Sequence, residues 1–274
     1  MKTCVMLVLL TCLAMCVAAT ASPEVDSMAI FQQARVERGP RLAFALEHGA
    51  RILPTPDGRS FYVLWTPPGV TSPPLVVTLH GHGSYALDEF PLWYPELTRR
   101  GYGIVALQWW FGGGESQERY FSPEQLYRNI DLILHQLGAR PRSALAHGFS
   151  RGSANIYGVT ALDVSSGNHF FALTVANAGK ASSDFPINTA IERGAFGPRP
   201  FESTRWVTCA GALDANPDRD GVAGMRETAA WVRRLGGTVE LAIEDPRGDH
   251  GAFHRNPANM RAALDVFARL LRSP

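Results

Sequence analysis

The chain has 274 residues, 46% hydrophobic and 19% charged, with a formal net charge of +1. That length and composition suit one large globular domain. Near-neutrality gives no electrostatic basis for binding nucleic acid or an acidic membrane surface.

The first residues differ in character from the rest. Lys2 precedes an apolar run at 5–17, and Ala19-Thr20-Ala21 offers small residues at the spacing of a signal-peptidase site. Residues 1–21 therefore read as a secretory signal peptide cut after Ala21, and 22–274 as the mature domain, secreted or periplasmic. The apolar run is too short to span a bilayer comfortably, so no stable membrane insertion is expected after cleavage. An uncleaved N-terminal anchor is one alternative. A lipoprotein attached through Cys16 is another, although Met15 stands where a small residue is usual. Cys4, Cys12 and Cys16 would leave with the signal, and Cys209 alone would remain, too few for an internal disulfide. No zinc or iron–sulfur spacing occurs, and no metal or cofactor is expected.

Residues 22–50 carry partial helical patterning through Ile30, Ala34 and the stretch 42–46. SFYVLWT at 60–66 reads as a strand, followed by a loop marked by Pro67-Pro68-Gly69 and Pro73-Pro74. LVVTL at 75–79 and YGIVAL at 102–107 are short apolar runs of the kind that fill strands buried on both faces. Between them, 87–100 reads as a helix ended by Gly101. Ser122 caps the next helix, with Pro123 at its first position and Gln125 completing a capping-box spacing. Its apolar residues then recur at helical spacing as far as Gly138. Strands are expected at 143–147, 170–175, 205–210 and 238–243, and helices at 152–162, 221–235 and 257–271. The stretch 177–204 is irregular and too short for a large cap. Alternating strands and helices predict an α/β fold, a mostly parallel central sheet flanked by helices on both faces.

Within this pattern, LAHGFSRGSAN at 145–155 sets Ser150 between Gly148 and Gly152, where a strand gives way to a helix. A sharp strand–turn–helix holds a serine outward and needs tiny residues two positions either side, because the two backbones crowd there. Serine attacks only when a base takes its proton, and the base is usually a histidine oriented by a carboxylate. RWVTCAGALD places Asp214 just past the strand 205–210, ahead of Asp218 and Asp220, which lie further from the strand end. VELAIEDPRGDHGAF places His250 between the last strand and the last helix; His254 and His169 are its rivals.

The order nucleophile, acid, histidine resembles that of the α/β-hydrolases, across nearly all of the mature chain. The resemblance implies that fold with little or no cap domain, and a serine hydrolase, most of all a carboxylic-ester hydrolase, with Ser150, Asp214 and His250 as triad. It further implies an oxyanion hole from the amides of Arg151 and of His82 in the loop His80-Gly81-His82-Gly83-Ser84, with Gly83 as second choice for the latter. His80 reads as a loop organiser, and Asp245 and Asp249 as residues that hold the His250 loop. Trp109 and Trp110, at the end of a sheet strand where ligands gather, together with Tyr85 and Phe149, are candidate substrate contacts. The substrate would be a small-molecule or glycan-linked ester. A peptidase resembling the prolyl-oligopeptidase catalytic domain, or a non-enzymatic binding module on the same fold, are the alternatives.

Overall fold

A computed structural model of the protein describes residues 23–272. The signal-peptide reading and Cys4, Cys12 and Cys16 lie outside the described residues.

The apolar runs make the sheet. Strands β1 (Arg51–Pro54), β2 (Phe61–Trp65), β3 (Leu75–Leu79), β4 (Gly103–Leu107), β5 (Ala144–Phe149), β6 (Phe171–Asn177), β7 (Arg205–Gly211) and β8 (Thr238–Asp245) form one eight-stranded sheet in the order β1-β2-β4-β3-β5-β6-β7-β8. The β1–β2 and β2–β4 pairings are antiparallel and all others are parallel. Every residue of β2, β3, β4 and β6 is buried, as runs without polar alternation demand.

Helices α1 (Pro23–Asp26), α2 (Ala29–Glu37), α3 (Gly39–Glu47), α4 (Ala86–Arg100), α5 (Pro123–Gln136), α6 (Arg151–Ser166), α7 (Pro186–Glu192), α8 (Val222–Arg234), α9 (Ala252–Arg255) and α10 (Pro257–Leu271) complete the chain. Two cores result, one on each face of the sheet. Val76, Ile104 and Leu145 point into the first, against Phe90, Trp93 and Leu97 of α4 and Leu264 and Phe267 of α10. Val77, Val105 and Ala146, their strand neighbours, point into the second, against Leu126 and Ile130 of α5, Ile156 and Tyr157 of α6 and Val232 of α8. This is the period-2 alternation of strands covered on both sides.

The Ser122 capping box forms as expected, with the Ser122 hydroxyl accepting from the Gln125 amide and the Gln125 side chain accepting from the Ser122 amide. Three elements were not legible. β1 is a four-residue antiparallel edge, too short to show a period. α7 lies inside the irregular stretch 177–204, and α9 is one turn directly after His250.

The strand order locates the site. The chain runs from β3 outward to β4, then crosses back over β3 to reach β5. Strand order therefore reverses between β3 and β5, and the carboxyl ends of strands at such a reversal border a ligand crevice. The His80–Ser84 loop follows β3, and Ser150 follows β5.

Candidate active site

Ser150 is the hinge between β5 and α6. Its backbone sits at φ 54°, ψ −117°, a conformation that a non-glycine residue holds at a cost of about 1–3 kcal/mol. The surroundings enforce it: the Ser150 amide donates to the Asn177 carbonyl at 2.8 Å, and its carbonyl accepts from the Ala154 amide at 3.1 Å. The flanking glycines are required by contact. A Cβ on Gly148 would lie 2.4 Å from the Gly152 carbonyl oxygen, and one on Gly152 would lie 2.4 Å from the Leu79 carbonyl oxygen. The turn thus presses against the end of β3, and α6 begins at Arg151 with its first N–H groups beside the serine.

Asp214 and His250 meet across the ends of β7 and β8. Asp214 Oδ2 lies 2.7 Å from His250 Nδ1, and Asp214 Oδ1 accepts from the Asn216 amide at 2.8 Å. The carboxylate is buried while the His250 ring is about two-fifths exposed. With Nδ1 donating to a carboxylate, the ring presents Nε2 as its free basic nitrogen. The Phe149 ring packs on His250 with centroids 5.0 Å apart, so the residue before Ser150 backs the imidazole. The loop carrying His250 is tied as the sequence suggests. Asp249 Oδ1 accepts from the Gly251 amide, and the Asp245 carboxylate collects the Arg247 amide and the Asn256 and Asn259 side chains. Those donors hold the Asp245 carboxyl below its ordinary range.

The loop after β3 lies against the serine: a Cβ on Gly81 would be 3.4 Å from Ser150 Cβ. Among the described residues, the His82 and Arg151 amides have no internal acceptor. The Gly83 amide does have one, donating to the Tyr120 hydroxyl at 3.1 Å. His82 is the better candidate of the two on that ground. Its ring is fixed as well. Arg151 Nη1, which can only donate, lies 3.2 Å from His82 Nδ1, and the Tyr120 hydroxyl lies 2.8 Å from the same nitrogen. Nδ1 is therefore an acceptor, and Nε2–H faces Glu115 Oε1 at 3.2 Å. His80 is buried, donates through Nδ1 to the Gly81 carbonyl at 2.8 Å, and accepts the Trp109 amide at Nε2. Burial holds its pKa down at about 4, which keeps it neutral as a brace for the loop.

No family model matches the chain, and no curated protein matches it. Solved structures do. A bacterial heroin esterase superposes with a TM-score of 0.60 at 16% identity, over 93% of this chain and 99% of its own. A hyperthermophilic esterase from the archaeon Pyrobaculum calidifontis gives 0.62 at 14% identity, over 87% of this chain and 91% of its own. A fungal esterase from Rhizomucor miehei gives 0.60 at 14% identity, over 91% and 92%. The protein has the α/β-hydrolase fold.

On this hydrolase scaffold, the Ser150 crevice is a cleft of about 380 Å³ lined by His82, Ser150, Arg151, Lys180, Arg219 and Asp220 among others. The four aromatic candidates for substrate contact part company here. Trp109 is almost wholly buried, its indole N–H on the His80 carbonyl at 3.0 Å, and it lines a neighbouring cavity rather than the Ser150 cleft. Phe149 supports His250 and lies 5.5 Å from the His254 ring. Trp110 turns away, packing on Tyr85 and donating to the Gly114 carbonyl. Tyr85 is not brought to the cleft at all: it is fully buried, with its hydroxyl on Glu37 of α2.

Two residues that no short motif announces do reach the site. Tyr120 contacts both His82 and Gly83, and the Arg151 guanidinium lies 4.0 Å over its ring. Phe185, just before α7, lines the Ser150 cleft. His254, a rival for the base, is buried behind Phe149, where burial lowers its pKa to about 4. Asp220 is buried and paired with Arg219, and one of its oxygens lies within 4.8 Å of both Asp214 and His250. Cys209 is buried in β7, which pushes its thiol up to about 12 and makes it inert.

Proposed function

We propose that the protein is an exported serine hydrolase that cleaves carboxylic esters, small or glycan-linked, through Ser150, His250 and Asp214. The observation that carries this reading is the 2.7 Å contact between Asp214 and His250, with Phe149 joining that pair to the strained Ser150 turn. A carboxylate so placed holds the imidazole in one tautomer and stabilises the imidazolium.

His250 Nε2 takes the proton of the Ser150 hydroxyl as Oγ attacks the ester carbonyl carbon. The carbonyl oxygen becomes an oxyanion held by the His82 and Arg151 amides, each donor contributing about 10²–10³ in rate. As the C–O ester bond breaks, His250 gives its proton to the departing alkoxide, leaving an acyl group on Ser150. Water, deprotonated by His250, attacks the acyl carbon; Ser150 recovers its proton and the acid leaves. The fold neighbours named as esterases support an ester as the scissile group. Export rests on the leader-like residues 1–21. Among the described residues no helix is long and apolar enough to cross a membrane.

The test compares the protein with Ser150→Ala on a short-chain aryl ester, an aryl ester of an aromatic acid and an aminoacyl anilide. Ester turnover that disappears in Ser150→Ala is the expected result. Cleavage of the anilide alone, or turnover that survives the substitution, contradicts it.

A further inference from the structure

A second cavity adjoins the cleft that holds Ser150. It measures about 450 Å³, and the two share Gln117, Arg151 and Phe185. The Gln117 side chain donates to the Asp184 carbonyl at 3.4 Å, joining the β4–α5 loop to the segment before α7. The cavities differ in character. Around Ser150 the walls are polar and charged, with Lys180, Asp184, Arg219 and Asp220. Beyond Arg151 aromatic and apolar side chains, Trp109, Tyr120, Phe121, Phe185 and Ile187, share the walls with polar ones such as Asn155 and Gln125.

The aromatic wall is closely packed. Trp109 and Tyr120 have centroids 4.8 Å apart, Phe121 meets Phe111 edge-on at 4.7 Å, and the Trp109 indole is pinned to the His80 carbonyl. Among the lining residues Arg59 and Arg151 stand against Glu118 and Glu124, so the cavity selects neither sign of charge. Such a space suits a flat, uncharged ring, since aromatic groups gain beyond their buried area from edge and face contacts.

Which half of an ester enters it follows from where the leaving oxygen must be. His250 has to protonate that oxygen, so the alcohol lies on the His250 side. That side is marked by Asp220, whose carboxylate is within 4.8 Å of the His250 ring and which lines the Ser150 cleft. None of Asp214, Asp220 and His250 lines the second cavity, which meets the Ser150 cleft at Gln117, Arg151 and Phe185. We propose that the cavity bounded by Trp109, Tyr120, Phe121, Phe185 and Ile187 is an acyl subsite for an aromatic acid, whose ester partner is a hydroxyl-rich alcohol seated among Lys180, Asp184, Arg219 and Asp220. The orientation rests on Ser150 and His250 acting as set out above; the aromatic site itself does not.

The experiment has two arms. In the first, kcat/KM is measured for methyl 3-phenylpropenoate and methyl butanoate, which share a leaving group. The expected ratio favours the phenylpropenoate by tenfold or more and falls toward one in Phe185→Ala. Phe185→Leu, which keeps bulk but loses the ring, should lower the ratio as well. In the second, calorimetry follows methyl 3-phenylpropenoate binding to Ser150→Ala, where no turnover is needed. Binding is expected, weakened severalfold when Phe185→Ala is added. Turnover of both esters at equal kcat/KM, unaltered by either Phe185 variant, overturns the subsite and leaves the esterase reading standing. No turnover of either ester, with binding that depends on Phe185, keeps the subsite and overturns the esterase reading.

Discussion

Asp214 accepts two hydrogen bonds, from His250 Nδ1 and from the Asn216 amide, and both its oxygens are committed. Asp214→Asn keeps the shape but substitutes an amide for one of the acceptors. If its NH₂ faces His250, it forces the proton onto Nε2, where the base must be free. A fall of about 10⁴ in kcat with little change in KM is expected, measured on any ester the protein turns over. A fall of less than tenfold would show that another carboxylate orients the ring, and Asp220 would be the one to test. The Asp214–His250 contact was legible through the chain order that the α/β-hydrolase resemblance implies, and the crowded glycines around Ser150 are a local signal. The aromatic contacts were harder to read. Tyr85 and Trp110 lie next to motif residues in sequence, yet Tyr85 turns inward to Glu37 because α2 packs over it, and Trp110 follows Tyr85. Tyr120 and Phe185 come from loops that only the fold brings to Ser150.

At the level of elements, β3, α4, β5 and β6 share a buried polar chain behind the nucleophile. Asn177 donates to His147 Nε2, His147 Nδ1 donates to the Thr78 hydroxyl, and Thr78 donates to Glu89 Oε2 at 2.7 Å. The Trp93 indole also donates to Glu89 Oε2. His254, on α9, sets its Nε2 4.0 Å from the same oxygen and has no hydrogen-bond partner there. The one-turn helix that carries it inward has too few residues to show a period in the sequence. Burial raises the Glu89 pKa to about 7, against the hydrogen bonds from Thr78 and Trp93 that lower it. For a group whose folded pKa is raised, the protonated form favours the fold. That contribution is complete below pH 4.5 and is lost as pH rises through about 7, at most about 3 kcal/mol. Glu89→Gln removes the charge while keeping an oxygen that can accept from Thr78 and Trp93. Its Tm relative to the parent protein should be several degrees better at pH 8 than at pH 5. An equal Tm offset at both pH values would show that Glu89 does not titrate with folding.

For the whole molecule, apolar runs alternating with amphipathic helices were enough to read a doubly covered, mostly parallel sheet, and the structure has it with two cores on opposite faces. Strand order was not legible, since nothing local in β3 or β4 states that β5 returns to the far side of β3. Yet that order puts the His80–Ser84 loop and Ser150 on one crevice. The aromatic cavity depends on the same long-range assembly, with walls from β4–α5, α5, α6 and the start of α7. The most direct test of the central claim is covalent. A fluorophosphonate ester forms a phosphorus–oxygen bond only with a serine whose proton a base removes, expelling fluoride. Intact mass and peptide mapping would locate the adduct. The expected result is one adduct per chain on the peptide containing Ser150, absent in Ser150→Ala and formed more slowly in Asp214→Asn. An adduct on a different serine, or no adduct on protein that still hydrolyses esters, would contradict it.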